Sequence, residues 1–276
     1  MTGVEHTVFL FRGLAREARH WGRFPEVLKD AFEAQGCSAK VVCLDLPGAG
    51  QHNEVLALSS VDSYAEFIDR QIELLEPSPM LRSQRSQGPV HLVGMSLGGM
   101  VSLKLADLRP SGFDSVVVIN TSARNVGSLV ERMQASAVLS MADIVRTRKI
   151  QRREEKILQL VANDRAARES ALEDWVRIQQ TRPVALWNFS LQLAAAARFD
   201  APMHLNCPVL VVASEKDRLV HPNCSARLAE LLHARLISHP TAGHDLAIDA
   251  PEWLAQRLAD WGVEIEIQRQ NHNSVR

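Results

Sequence analysis

Gly94-Met95-Ser96-Leu97-Gly98-Gly99 is the stretch whose reading decides the fold of this 276-residue chain. It follows Pro89-Val90-His91-Leu92-Val93, an apolar run of strand length. It leads into Met100-Val101-Ser102-Leu103-Lys104-Leu105-Ala106, a helical pattern. A G-x-S-x-G sequence between strand and helix describes a nucleophile elbow, a sharp turn that lifts a serine hydroxyl above a sheet edge. The glycines have a mechanical reason to be there. So tight a turn forces unusual backbone angles and brings strand and helix close enough for side chains to clash.

Outward from the elbow, short apolar runs alternate with helix-length amphipathic segments. Residues 8–11, 40–44, 90–93, 115–119, 209–213 and 234–238 read as strands, and 21–35 and 61–76 as helices, the second capped by Ser60. This alternation argues for an α/β fold, a parallel sheet covered on both faces. Residues 77–88, rich in Ser, Gln, Pro and Arg, read as an exposed, mobile connection. After Ile119 the alternation stops, and 121–206 offers only helical patterns, around 129–145, 151–162, 166–179 and 184–197. We therefore expect a core formed by 1–120 and 207–276, with 121–206 inserted as a helical unit.

Hydrophobic residues at 46% and charged residues at 23% fit an ordinary globular protein large enough to bury a substantial core. A net charge of −1 gives no global attraction to nucleic acid or to an anionic membrane. Within 121–206, 13 Lys and Arg face 9 Asp and Glu, a local balance of +4. That surplus could favour an anionic substrate, and a solvated helix surface explains it equally well. Cys37, Cys43, Cys207 and Cys224 match neither a zinc site nor a redox pair, and read as small hydrophobes kept reduced. The apolar run 7–11 ends at Arg12, too short for a signal peptide, and no stretch is long enough to span a bilayer. The expected location is the cytoplasm.

A serine hydroxyl needs a base within hydrogen-bond reach and a carboxylate to orient that base. Behind an elbow the expected order is Ser, acid, His. Asp217 follows the strand at 209–213 in Ser214-Glu215-Lys216-Asp217-Arg218, and His244 follows the last strand in Thr241-Ala242-Gly243-His244-Asp245. Both positions lie at the carboxyl ends of strands, the edge where open α/β sheets bind ligands. Asp217 could instead cap a helix starting near Pro222, and Glu215 competes with it as the acid. His244 is preferred to His239 because it follows Gly243, read as flexible. Asp245 reads as a solvent-facing or capping residue.

With these residues in view, the chain resembles the esterase- and lipase-type members of the α/β-hydrolase superfamily from about residue 8 to residue 261. The resemblance rests on Phe11-Arg12-Gly13-Leu14, Asp45-Leu46-Pro47-Gly48-Ala49-Gly50, the elbow, Glu215-Lys216-Asp217-Arg218-Leu219-Val220 and Gly243-His244. It implies Ser96 as nucleophile, Asp217 as acid and His244 as base, with 121–206 as a cap, or lid, after the fourth strand. It also implies an oxyanion hole from the backbone amides of Leu97 and Leu14. Two departures stand out. Arg12 replaces the usual His before Gly13, and so could bind a carboxylate or phosphate, or bond loop carbonyls. Only seven residues precede Val8, which leaves no room for the first two family strands and predicts six parallel strands.

The expected function is hydrolysis of a carboxylic ester or thioester through an acyl-enzyme, on a small-molecule acyl substrate, with no metal or organic cofactor. The same three groups also support acyl transfer, C–C bond hydrolysis or cofactor-free peroxidase-like chemistry, and the fold can serve as a non-catalytic receptor. Trp175, Trp187, Phe189 and Leu191 could line an acyl pocket or simply pack within the cap. Oligomeric state is not legible.

Overall fold

The structure is a computed structural model that describes residues 4–75 and 88–274. The connection expected at 77–88 lies outside the described residues, except for Gly88. Six strands, β1 (Glu5–Phe11), β2 (Ser38–Leu44), β3 (Val90–Met95), β4 (Ser115–Ile119), β5 (Val209–Ser214) and β6 (Arg235–His239), form one sheet in the order β2-β1-β3-β4-β5-β6. Every neighbouring pair is parallel. The order reverses between β1 and β3, so their carboxyl ends open the crevice where ligands bind such sheets.

Strand periodicity explains why the apolar runs are continuous. In β1, Phe9 and Phe11 face one core layer while Val8 and Leu10 face the other. The first layer is packed by α2 (Val61–Leu75) and α3 (Leu97–Leu108), with Tyr64, Ile68, Met100 and Leu103 buried. The second is packed by α1 (Phe24–Ala34) and the C-terminal helix Pro251–Ser274, through Phe24, Leu28, Leu254 and Leu258. A strand buried on both sides has no polar face to alternate with.

The helix expected at 21–35 is interrupted. A 3-10 turn covers Ala18–Trp21, Gly22 takes φ 54°, and α1 starts at Phe24 with Pro25 in its first turn. Glycine accepts the left-handed backbone that breaks the run, and proline favours a first helical turn. Ser60 does cap α2, its Oγ accepting from the Ser63 N–H at 3.2 Å.

Between β4 and β5 run α4 (Leu129–Arg132), α5 (Ala135–Arg146), α6 (Ile150–Val161), α7 (Arg165–Thr181) and α8 (Leu186–Arg198), with no strand. The single helix expected at 129–145 is split in two around Gln134. The Gln134 N–H donates to the Leu219 carbonyl at 3.0 Å and its side-chain amide to the Asp217 carbonyl at 2.8 Å. The break thus connects this helical segment to the loop after β5. Ile144, Leu158, Leu160, Val161 and Trp175 give the segment a small core of its own, which also reaches Leu219 and Ile248.

Candidate active site

Ser96 sits at φ 55°, ψ −117°, between β3 and α3. A side chain there is strained, and the surrounding glycines explain how the turn tolerates it. A Cβ on Gly94 would collide with the Gly98 carbonyl, and one on Gly98 with the Phe11 carbonyl. A Cβ on Gly13 would lie 3.1 Å from the Ser96 Cβ, so the loop after β1 passes directly beside the serine. Among the described residues, none accepts a hydrogen bond from the N–H of Leu14 or of Leu97. Leu97 opens α3, where backbone donors lack partners within the helix.

Asp217 and His244 come together on the loops after β5 and β6. His244 Nδ1 lies 2.7 Å from Asp217 Oδ2. Oδ1 of the same carboxylate accepts from the Leu219 and Val220 N–H groups at 2.8 and 3.0 Å. Asp217 therefore orients a ring and a turn rather than capping the following helix, which begins at Asn223. With Nδ1 donating to the carboxylate, Nε2 is left as the acceptor nitrogen. Ser96 and His244 line one cavity of about 220 Å³, and Arg12, Leu14, Met95 and Asp245 border it on the sheet side.

Several residues that hold this arrangement were not legible in the sequence. Asn120, at φ 49° just past β4, donates to the His244 carbonyl at 2.8 Å and accepts from the Ser214 N–H at 2.8 Å. An asparagine ending a strand was the available signal, since Asn tolerates left-handed backbone. Gln192 of α8 accepts from the Ala15 N–H at 2.8 Å and so fixes the loop carrying Leu14. Asp249 accepts from the N–H groups of Asn163, Asp164 and Gly243, the last at 2.6 Å.

Three local readings need correction. Arg12 neither stands free for an anion nor bonds loop carbonyls. It makes a bidentate pair with Asp245, both side chains being 3% exposed. Asp245 is accordingly buried rather than solvent-facing, although it does stand at the N-cap of the short helix Leu246–Asp249, and the pair joins the loop after β1 to the loop bearing His244. Gly243 serves close approach rather than flexibility. A Cβ there would lie 2.7 Å from the Val161 carbonyl, which accepts from the Asp245 N–H at 2.7 Å.

The other side of the cavity comes from the helical segment. Ile144, Ile157, Leu160, Trp175 and Phe189 give it an apolar lining. Trp187 is 65% exposed, and neither it nor Leu191 borders the cavity. Arg16, from the loop after β1, bonds Glu154 of α6 at 2.9 Å and lies 4.4 Å from the Trp175 ring centre. Burial pulls the Arg16 pKa down against the opposing field of Glu154. Burial first, and then the Arg16 and Arg12 charges, hold His20 well below its ordinary value, so it stays neutral beside them.

Among the described residues, the one metal-ligand grouping is His6, Cys37 and Glu266. His6 lies in the amino-terminal half of β1, away from the elbow, and both its ring nitrogens already bond His91 and Glu266. No pair of cysteines is bridged. No helix among the described residues is long and apolar enough to cross a membrane.

Comparison with known proteins places this geometry in context. Residues 8–257 match the model of the "Alpha/beta hydrolase family". The chain is 28% identical over 258 residues to the "Putative carbamate hydrolase RutD" of Caulobacter sp. (strain K31), covering 89% of this chain and 86% of that protein. It is 26% identical over 230 residues to the dihydrolipoyllysine-residue acetyltransferase component of the acetoin cleaving system of Pseudomonas putida. That match covers 82% of this chain, which spans only 56% of the relative's length. A thermophilic esterase from Thermogutta terrifontis superposes with a TM-score of 0.68 at 19% identity, over 96% of this chain and 92% of the other.

Proposed function

The chain belongs to the alpha/beta hydrolase family, and on that premise we propose that it is a serine hydrolase cleaving a carboxylic ester or thioester. The observation that carries the reading is the 2.7 Å pair of His244 and Asp217, with His244 lining the same cavity as a serine held at φ 55°.

Ser96 Oγ attacks the substrate carbonyl carbon as its proton passes to His244 Nε2. The Asp217 carboxylate keeps the proton on Nδ1 and stabilises the imidazolium that forms. The N–H groups of Leu14 and Leu97 take the developing oxyanion, and loss of one such donor typically costs about 3 kcal/mol of transition-state stabilisation. The tetrahedral intermediate collapses by breaking the bond to the alcohol or thiol, which leaves with the proton from Nε2. Water, deprotonated at the same nitrogen, then attacks the acyl-enzyme and releases the acid and the Ser96 hydroxyl. Residues 121–206 act as a cap that excludes bulk water and shapes the acyl site. A cavity of about 220 Å³ is smaller than the roughly 300–1,000 Å³ typical of drug-sized ligands, which points to a small acyl group.

Intact-mass labelling with a fluorophosphonate tests this. The wild type should gain one adduct and Ser96→Ala none, with turnover of short-chain esters falling on the order of 10⁵-fold in the variant. Unlabelled, well-folded wild type would remove the assignment.

A further inference from the structure

The described residues bury four carboxamide side chains, and three are fully engaged. Asn120 bonds Ser214 and His244, Asn188 bonds the loop at 48–57, and Gln192 bonds Ala15 and Pro47. The fourth is Gln179 on α7. It is 5% exposed, it lines the cavity, and no described residue hydrogen-bonds its amide. Its amide is not sealed from solvent but opens onto the cavity, where a ligand group can reach it. One helical turn back on the same face, Trp175 also lines the cavity and packs under the Arg16 guanidinium.

The charges at the wall do not balance. Three guanidiniums, Arg12, Arg16 and Arg153, meet only two carboxylates, Glu154 and Asp245. Arg12 is matched to Asp245, and Arg16 to Glu154 at 2.9 Å. Arg153 is the surplus cation. Its Nε reaches Glu154 only at 3.6 Å, and its side chain is 30% exposed. The cavity therefore carries one surplus positive charge, Arg153 on α6, whose nearest carboxylate is shared with Arg16, and one amide without a protein partner, Gln179 on α7.

We infer that Gln179 and Arg153 form a subsite for a carboxylate carried by the acyl group at the end remote from the scissile bond, so that the preferred substrate is a half-ester of a dicarboxylic acid. This rests on the proposed Ser96 chemistry. A carboxylate accepts from both an amide N–H and a guanidinium, and the apolar walls between the two ends suit the methylenes of a diacid.

The test uses p-nitrophenyl half-esters of succinate, glutarate, adipate and pimelate against neutral esters of equal acyl chain length. At the best chain length the half-ester should lead in kcat/KM by about tenfold, equivalent to ~1.4 kcal/mol. Gln179→Leu and Arg153→Met should each bring the ratio toward one, and Gln179→Glu, which opposes like charge, should push it below one. Calorimetric titration of the free diacids and monoacids needs no turnover and should show the same preference in binding. Esters turned over alike, with both acids bound alike, would overturn the subsite and leave the reaction standing. Diacid preference in binding without turnover of any ester would do the reverse. A ratio that Gln179→Glu leaves unchanged would also overturn the subsite.

Discussion

On the sheet side of the cavity, main chain fixes the residues. Ser96 stands on a left-handed elbow, the His244 carbonyl is held by Asn120, and Asp217 receives two backbone N–H groups. On the opposite side, helices α5 to α7 hold the lining by side-chain packing around Trp175 and Leu158, and they leave the Gln179 amide without a protein partner and Arg153 sharing its nearest carboxylate with Arg16. The difference teaches where each kind of information sits. In the proposed mechanism, bond-making geometry belongs to strand ends and turns, which tolerate almost no change. In the same proposal, shape and charge selectivity belongs to helix faces, where one side chain can be exchanged for another at constant fold.

The sharpest way to break that contrast is Gly94→Ala. Its Cβ would run into the Gly98 backbone, which cannot move without displacing the first turn of α3. We expect a loss of at least about 3 kcal/mol in urea unfolding together with loss of fluorophosphonate labelling. A variant of near-wild-type stability that still labels would mean the elbow is less constrained than the glycine packing says.

The same contrast accounts for what could be read from the chain in advance. Strand ends, elbow glycines and the order Ser96, Asp217, His244 are signalled by local chemistry, because a tight turn or a loop after a buried strand admits few residue types. All six strands lie within three residues of their expected starts. The partners that hold the site are different. Arg12 and Asp245 are 233 positions apart, and Gln192 and Ala15 are 177 apart. No periodicity brings such pairs together; only the closed fold does. Gln134 splits an expected helix for the same reason, its backbone leaving the helix to reach Leu219. Asp245, beside the histidine, looked like a surface residue because its cation lay at the far end of the sequence.

Asp249 tests how the two sides are joined. Its carboxylate takes the N–H groups of Asn163 and Asp164, at the start of α7, and of Gly243, next to His244. Asp249→Ala should cost roughly 1–3 kcal/mol as those donors lose their acceptor. It should lower kcat for neutral and charged esters alike, leaving the half-ester preference as it was. Asp249→Asn, which keeps one acceptor oxygen, should recover part of the loss. If Asp249→Ala changed the preference and spared kcat, the join would belong to the cap's selectivity rather than to the base's position.

The last expected effect separates the two sides by pH. His91 lies within β3, where burial and the neighbouring His6 lower its pKa to about 3, whereas an unfolded chain titrates it at 6.5. Because the folded value is depressed, the unfolded chain takes up the proton first as the medium is acidified. The stabilisation is therefore complete above pH 6.5 and drains away toward pH 3, at up to about 1.4 kcal/mol per pH unit for each such histidine. His6, also lowered by burial, and His20, well below its ordinary value, act in the same direction. Residues 121–206 hold one histidine, His204, and it is exposed. Acid sensitivity in this range should thus belong to the sheet and to the loop after β1 rather than to α4–α8. Urea midpoints measured from neutral pH downward should fall for the wild type, and His91→Gln should lower the starting stability but flatten the slope. An unchanged slope in His91→Gln would move the acid sensitivity elsewhere and end this part of the contrast.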